Sequence, residues 1–247
     1  MQCSFRALAG VGVALLGGCL ADSGDESIIV MKNVHAVGED CVASNEAGEL
    51  GTSRGTLDLL MPSGYVFVAQ LKSRITASDI DDKDQRTIFT SGANVDISFP
   101  GSTLFTDSEL TQLSAMGLTR FRQPFVVPIT PNGGIADVPF VAIPEQLVEL
   151  IASKVDLSKK YRLEALVSFT VRGQLANGDV SSQPFAYAVT IGNGLVVNVL
   201  GECSSISSAA TVRTGYSCNP GQDGVVDCCV TNADTLMCPA VAPTTLQ

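Results

Sequence analysis

The strongest constraint on the fold is a series of apolar stretches separated by Asn-Gly turns. In residues 161–171 and 185–191, apolar side chains occupy every second position, which is the pattern of a strand with one buried face. The turns at Asn177-Gly178 and Asn193-Gly194 tolerate the positive φ angles of two-residue hairpins. A third apolar stretch covers residues 195–200. We therefore predict an antiparallel meander of three strands.

Similar stretches predict strands earlier in the chain. Isolated strands are expected over Ile28–Val37, which contains the sole histidine, His35, and over Arg86–Phe89 and Asn94–Phe99. Two hairpins are expected, one from Gly55–Leu60 with Tyr65–Leu71 and one from Phe125–Ile129 with Val138–Ala142. Pro128 and Pro139 restrict these two strands to edge positions or bulges, because proline cannot donate to a strand ladder.

Two short helices interrupt the strands. The first begins at Thr106, which forms a capping box with Glu109, and ends at Gly117; its apolar face is Leu110, Leu113 and Met116. The second covers Pro144–Ser153 and has the apolar face Leu147, Leu150 and Ile151. This pattern predicts an all-β protein: an immunoglobulin-like antiparallel β-sandwich with two short helices in connections and a small disulfide-rich C-terminal tail.

The N-terminus has the features of an export signal. Arg6 provides a positive region, Ala7–Leu16 an apolar region too short to span a bilayer, and Leu16-Gly17-Gly18-Cys19 follows at once. This tetrapeptide resembles the lipobox of bacterial lipoproteins, which implies acylation of Cys19 and removal of residues 1–18. An ordinary secretory signal is the alternative. The resemblance to these lipoproteins further implies sorting to the outer membrane, because Leu20 follows the cysteine.

The charge balance excludes some partners. The chain has a net charge of −10, and loss of Arg6 with the signal makes it −11. An acidic chain of this kind is unsuited to nucleic acid or to docking on anionic lipid. We expect no nucleic-acid partner, and membrane attachment through the lipid anchor alone.

The cysteines predict a disulfide framework. Apart from Cys3 and Cys19 there are six, an even number in an exported chain: Cys41, Cys203, Cys218, Cys228, Cys229 and Cys238. Five lie in the tail, so complete pairing requires one bridge from the tail to Cys41. Adjacent cysteines are not expected to pair with each other. Zinc binding is disfavoured because no Cys-x-x-Cys pair occurs and His35 is remote.

The order of the tail cysteines resembles most of a knottin pattern. This resemblance implies Cys203–Cys229, Cys218–Cys238 and Cys41–Cys228. The alternative is Cys41–Cys203 across the sandwich, with Cys218 bound to Cys228 or Cys229 and the remaining one bound to Cys238.

No motif assigns catalysis or a cofactor. The sequence has one histidine, no tryptophan, and no G-x-S-x-G, H-E-x-x-H, Walker A or G-x-G-x-x-G pattern. Asp79, Asp81, Asp82 and Asp84 crowd one loop, but it lacks the glycine and distal glutamate of a calcium loop. We predict no catalytic residue, no metal site and no cofactor. Paired carboxylates of a glycosidase type stay open, because the fold sets their spacing.

Several segments resemble a group of uncharacterised Gram-negative outer-membrane lipoproteins with a cysteine-rich end. They are Gly55-Thr-Leu-Asp followed by Gly64-Tyr65, Val138-Pro-Phe, the strand Leu163–Gly173, and Gln222-Asp-x-x-x-Asp-Cys. The resemblance covers about residues 50–238 and implies an envelope lipoprotein without carrying over catalytic residues.

These observations predict four segments and one function. The segments are a signal peptide (1–18), a lipidated cysteine and tether (19–27), a β-sandwich (28–202) and a disulfide-rich segment (203–247). We expect an outer-membrane lipoprotein of the cell envelope, a non-enzymatic binding or structural module whose partner is an envelope protein or polymer. The alternative is a carboxylate-based hydrolase with its site in a groove of the sandwich.

Overall fold

The computed structural model describes residues 27–34, 36–37, 42–43, 51–78, 85–206, 212–216, 219–231 and 235–239. Strands make up most of this part of the chain. They are β1 (Ile28–Asn33), β2 (Ala36–Val37), β3 (Val42–Ala43), β4 (Arg54–Asp58), β5 (Tyr65–Ser73), β6 (Ile88–Ser98), β7 (Arg120–Gln123), β8 (Pro128–Ile129), β9 (Ile135–Ile143), β10 (Arg162–Leu175), β11 (Gly178–Ser181), β12 (Phe185–Gly192), β13 (Val197–Glu202), β14 (Val226–Val230) and β15 (Leu236–Met237). The helices are α1 (Asp107–Ala115), α2 (Glu145–Lys154) and a 3-10 turn at Cys203–Ser205.

Two sheets face each other across one core. The first has the order β1-β5-β9, and the second has the order β4-β12-β10-β6-β7 with β11 beside β10 and β8 beside β6. Aromatic rings join them: the Phe67 ring of β5 lies 5.0 Å from the Phe169 ring of β10 and 5.0 Å from the Tyr187 ring of β12. The predicted all-β sandwich with two helices is confirmed.

Both helices form where local signals predict them. Thr106 and Glu109 make the capping box of α1, and Gly117 takes a φ of +74° just beyond its end. Leu113 is buried, but Met116 is 69% exposed, so the predicted apolar face is wrong at that position. In α2, Leu147 and Ile151 are buried in the sandwich core.

The predicted hairpin around residues 62–64 does not form. β4 lies in the second sheet and pairs with β12 in parallel, whereas β5 lies in the first sheet between β1 and β9. The chain therefore crosses between sheets here, and each strand packs its apolar face on the shared core from opposite sides. Gly55 allows the Tyr65 side chain to pack closely on β4, because a Cβ there would lie 2.5 Å from the Tyr65 hydroxyl.

The second predicted hairpin is also wrong. The strand expected over residues 125–129 shrinks to β8, which pairs with β6, whereas β9 pairs with β5 in the other sheet. Pro139 lies on β9 at an edge, as its missing N–H requires. The separate strands predicted at 86–89 and 94–99 are one strand, β6, because Gly92 (φ +126°) carries the chain through a bulge.

The meander is correct in its first two strands and wrong in its third. Asn177-Gly178 turns β10 into β11, and β10 pairs with β12 along eight residue pairs from Arg162↔Gly192 to Phe169↔Phe185. After Gly194 the chain leaves this sheet. β13 pairs in parallel with β14, which pairs with β15 in a separate small sheet. At this point a buried carboxylate, described next, accepts hydrogen bonds from the amides of residues 194–197.

Candidate functional site

Asp58, at the end of β4, organises the junction between the sandwich and the C-terminal segment. Asp58 is fully buried, and its Oδ2 accepts hydrogen bonds from the backbone N–H groups of Leu195, Val196 and Val197 at 2.7, 2.9 and 2.9 Å. Its Oδ1 accepts from the N–H groups of Leu60 at 3.0 Å and Gly194 at 3.1 Å. Five amides therefore bind one carboxylate, and those of residues 194–197 are no longer available to continue a ladder with β12.

Asp223 and Gln222 dock the C-terminal segment onto β4 and β5. Asp223 Oδ1 accepts from the Thr56 N–H at 2.6 Å, and Tyr65 donates its hydroxyl to Asp223 Oδ2 at 2.8 Å. The Gln222 amide bonds both backbone groups of Val66, accepting from the N–H at 2.9 Å and donating to the carbonyl at 2.7 Å. The Gln222 side chain thus replaces a neighbouring strand at this point of β5.

A second layer of polar side chains lies behind Tyr65. Asn33 donates from Nδ2 to the hydroxyl oxygens of Tyr65 at 3.1 Å, Tyr187 at 3.2 Å and Thr52 at 3.2 Å, and its Oδ1 accepts from the Val68 N–H at 2.9 Å. Burial, reinforced by the nearby Asp223 carboxylate, raises the pKa of the Tyr65 hydroxyl far above its ordinary value. Burial also raises the pKa of Tyr187. Both tyrosines are therefore neutral hydrogen-bonding groups.

This hydrogen-bond network connects the C-terminal segment to the sandwich; we call it the joint. Asp58 and Asp223 accept hydrogen bonds from backbone and side-chain donors on strands that are far apart in sequence. The oxygens of both carboxylates are thus hydrogen-bonded to donors of the protein itself. The segments Gly55-Thr-Leu-Asp, Gly64-Tyr65 and Gln222-Asp are among those that resemble the envelope lipoproteins. In the structure they meet here, with Asn219 also donating to the Gly64 carbonyl at 2.6 Å.

Two disulfides close the small sheet of β13, β14 and β15. They are Cys203–Cys229 and Cys228–Cys238. The first is the pairing implied by the knottin-like order. The second is one of the pairings of the alternative, and it contradicts Cys218–Cys238 and Cys41–Cys228. The first contradicts Cys41–Cys203 of the alternative. The side chains of Cys228 and Cys229 point to opposite faces of β14, because neighbours on a strand alternate, so each reaches a different partner.

The same sheet carries an ion pair. Arg213 donates to both carboxylate oxygens of Asp227 at distances of 2.6 to 3.1 Å, and Asn198 donates to Oδ1 at 2.7 Å. The Arg213 guanidinium, with Asn198, lowers the pKa of the Asp227 carboxyl well below its ordinary value. Like Asp58, Asp227 is held by groups that stabilise the tail.

Several predicted positions lie outside the described residues: Cys19, His35, Cys41, Asp79, Asp81, Asp82, Asp84 and Cys218. Among the side chains that the structure describes, no group of three or more histidines, cysteines and carboxylates is arranged to hold a metal ion. Within the same residues, no helix is both long and apolar enough to cross a membrane.

Two grooves on the sandwich are lined by residues that the structure describes. The larger, of about 530 Å³, lies between residues 100–104 and 161–164, and Glu164 is its only carboxylate. Glu164 forms an ion pair with Arg54. The smaller, of about 300 Å³, is lined by Ile28, Ile29, Val30, Arg74, Gln183, Pro184 and Phe185 and has no carboxylate.

Comparison with known proteins identifies no family. No family model matches the chain, and no curated protein matches it. Among solved structures, the solution structure of a candidate late embryogenesis abundant (LEA) protein is similar at 10% sequence identity and a TM-score of 0.28, over 57% of this chain and 71% of that protein. The class of the protein is therefore defined by its own fold, an all-β sandwich with a disulfide-closed C-terminal sheet.

Proposed function

We propose that this protein is a cell-envelope lipoprotein, anchored in the outer membrane through acylated Cys19, whose sandwich is a non-enzymatic binding or structural module. The anchor is supported by the position of Cys19 directly after the apolar signal segment. Disulfides Cys203–Cys229 and Cys228–Cys238 agree with export to an oxidising compartment.

The hypothesis of a non-enzymatic protein rests on one observation: the buried or half-buried carboxylates at and near the joint are hydrogen-bonded to groups of the protein. Asp58 binds five amides, Asp223 binds Tyr65 and Thr56, and Asp227 binds Arg213. Asp58 and Asp223 hold the C-terminal segment on the sandwich, Asp227 stabilises the small sheet, and all three are occupied by donors of the protein itself. A domain fastened at so many points is suited to presenting a rigid surface on a short tether.

The carboxylate-based hydrolase is the alternative, and it requires two carboxylates facing one groove. The larger groove contains Glu164 alone, already bound to Arg54, and the smaller groove contains none. A hydrolase of this kind would lose its activity in Glu164→Gln. The binding module is expected to keep binding its ligand in that variant.

The anchor is tested by metabolic labelling with a radioactive fatty acid followed by membrane fractionation. We expect the wild-type protein to be labelled and recovered with the outer membrane, and Cys19→Ser to lose both properties. Cys3→Ser is the matched control, because Cys3 lies in the signal segment and is predicted to leave with it. A Cys19→Ser protein that stays labelled and membrane-bound would refute the proposal.

A further inference from the structure

The outward face of the second sheet carries most of the arginines of this acidic chain. Five of them project from β4, β7 and β10, on positions that alternate with buried residues: Arg54, Arg120, Arg122, Arg162 and Arg172. We call this surface the arginine face. Asp96, Glu164 and Asp179 are the exposed or half-buried carboxylates on the same side of these strands, and Asp58 of β4, also on this side, is buried and bound to the amides of residues 194–197. The face is therefore locally positive, although the whole chain has a net charge of −10.

The arginines of this face differ in how they are paired. Arg54 forms an ion pair with Glu164, and Arg120 forms one with Asp96 at 2.6 Å. For Arg122, Arg162 and Arg172, no carboxylate of the described residues lies within ion-pair distance. Three guanidinium groups thus keep their charge without a partner carboxylate in this part of the chain.

Arg122 and Arg172 are held in place by neutral groups on β6. Arg122 donates to the Ser91 carbonyl at 3.1 Å and to its hydroxyl at 3.3 Å. With the Asn94 amide in the orientation that satisfies both groups, its oxygen accepts from Arg172 at 2.9 and 3.1 Å. A guanidinium has five N–H donors, so both arginines keep donors for an external oxyanion. Because the holding groups are uncharged, they do not neutralise that anion site.

The spacing of these arginines suits an extended ligand. Arg122 and Arg172 lie on β7 and β10, on either side of β6, so their backbones are about 10 Å apart across the sheet. Arg162 lies on the same strand as Arg172, about 33 Å farther along, beside the larger groove. One small anion cannot bridge that length. A chain with repeated negative charges can contact both ends.

The surface between the arginines favours a sugar chain over a protein or a bilayer. Its centre contains the ion pairs Arg54–Glu164 and Arg120–Asp96. The side chains around them are small or carry hydroxyl groups: Ser168, Thr170, Ala186, Ala188 and Thr190. Protein interfaces are dominated by buried aromatic anchors, and bilayer binding needs a continuous apolar face. The large apolar side chains exposed here are Leu166 and Phe89, which lie apart. Phe89, beside Gln174 of β10, offers a flat ring near the Arg172 end.

We propose that the arginine face binds an anionic polysaccharide, with carboxylate groups of the polymer bound by Arg122 and Arg172 at one end and by Arg162 at the other. Planar guanidinium groups bind carboxylates through paired hydrogen bonds, and the central hydroxyl groups hydrogen-bond the sugar ring. This inference rests on the proposed binding module and names the class of its ligand.

Binding is tested with the mature protein purified in neutral detergent and immobilised polygalacturonate, by biolayer interferometry. Arg122→Gln/Arg172→Gln is expected to weaken binding about tenfold or more, since hydrogen bonds to charged groups are the strong ones. Lys72→Gln/Arg74→Gln is the matched control: it removes the same charge from β5 and the position just after it, at the first sheet, and we expect less than about twofold change under salt-screened conditions. Thermal melts of both variants check that the fold is intact.

Each outcome decides the proposal. A selective loss in the double arginine variant, with no binding to neutral dextran, supports it. Equal losses of binding in both variants would show non-specific electrostatic attraction and would refute the arginine face as the binding site. Equal binding to polyglutamate would assign the face to an acidic protein, and absence of polygalacturonate binding by the wild type would overturn the ligand class. Fatty-acid labelling tests the lipid anchor independently, so the anchor and the polysaccharide proposal can each fail without the other.

Discussion

Replacing Asp58 by asparagine tests whether one carboxylate decides where the C-terminal segment goes. The two side chains have nearly the same shape, but the amide has one acceptor oxygen and one NH2 group. With its oxygen at the Oδ2 position, asparagine still accepts from the amides of residues 195–197. Its NH2 group then faces the N–H groups of Leu60 and Gly194, which lose their acceptor.

The expected loss follows from those two N–H groups. Gly194 is exposed, so water can replace its lost acceptor, whereas the half-buried Leu60 N–H costs about 1–3 kcal/mol without one; Asp58→Asn should therefore lower the free energy of unfolding by about 1–3 kcal/mol. A domain has only about 5–15 kcal/mol of stability, so the loss is a large part of it. Asp96→Asn is the matched control, because Asp96 has an exposed ion pair with Arg120 that is worth about 0–1 kcal/mol.

The assay is equilibrium unfolding of the oxidised mature protein in guanidinium chloride. Both variants keep their disulfides, so the comparison isolates the carboxylate. We expect a clear fall of the midpoint in Asp58→Asn and a small one in Asp96→Asn. If the two free energies of unfolding agree within about 1 kcal/mol, which is the size of a surface pair, the amides are not held by Asp58 in the way described.

Two further predictions concern the disulfides and the acid limit of stability. With the two tail disulfides formed, parity leaves Cys41 and Cys218 to pair with each other, and non-reducing peptide mapping should recover that link; a free thiol at either one would contradict it. Lys154 and the Thr106 cap lower the pKa of Glu109 from 4.5 to about 2, so its stabilisation is present above about pH 4.5 and is lost as the pH falls toward 2. Glu109→Gln should reduce the fall of the melting temperature between about pH 4.5 and 2, as measured by differential scanning calorimetry. The same fall in the wild type and the variant would refute this prediction.

Features set by neighbouring residues could be predicted from the sequence. Helix α1 starts at Thr106 because its hydroxyl and the Glu109 carboxylate complete a capping box within four residues. Asn177-Gly178 turns β10 into β11 for the same local reason, since its residues accept the φ angles of a tight turn. The alternation in β10 and β12 correctly marked their buried faces.

The partners of several strands could not be predicted in this way. Alternation shows which face of a strand is buried, but the backbone groups that pair strands are the same in every residue. β4 and β5 therefore looked like a hairpin, although they lie in opposite sheets. The two tail disulfides likewise depend on which strand lies beside β14, and cysteine order alone does not specify that.

The sequence by itself determined the buried faces of the strands, the two helices and the cysteine-rich end, because each depends on residues within one turn or one strand. The tertiary structure decided the course of the chain after Gly194 and the joint at Asp58 and Asp223. Asp58 binds amides 136 to 139 positions away, and Asp223 binds Thr56 across 167 positions. Such contacts exist only once the core has brought the segments together, so no local pattern encodes them.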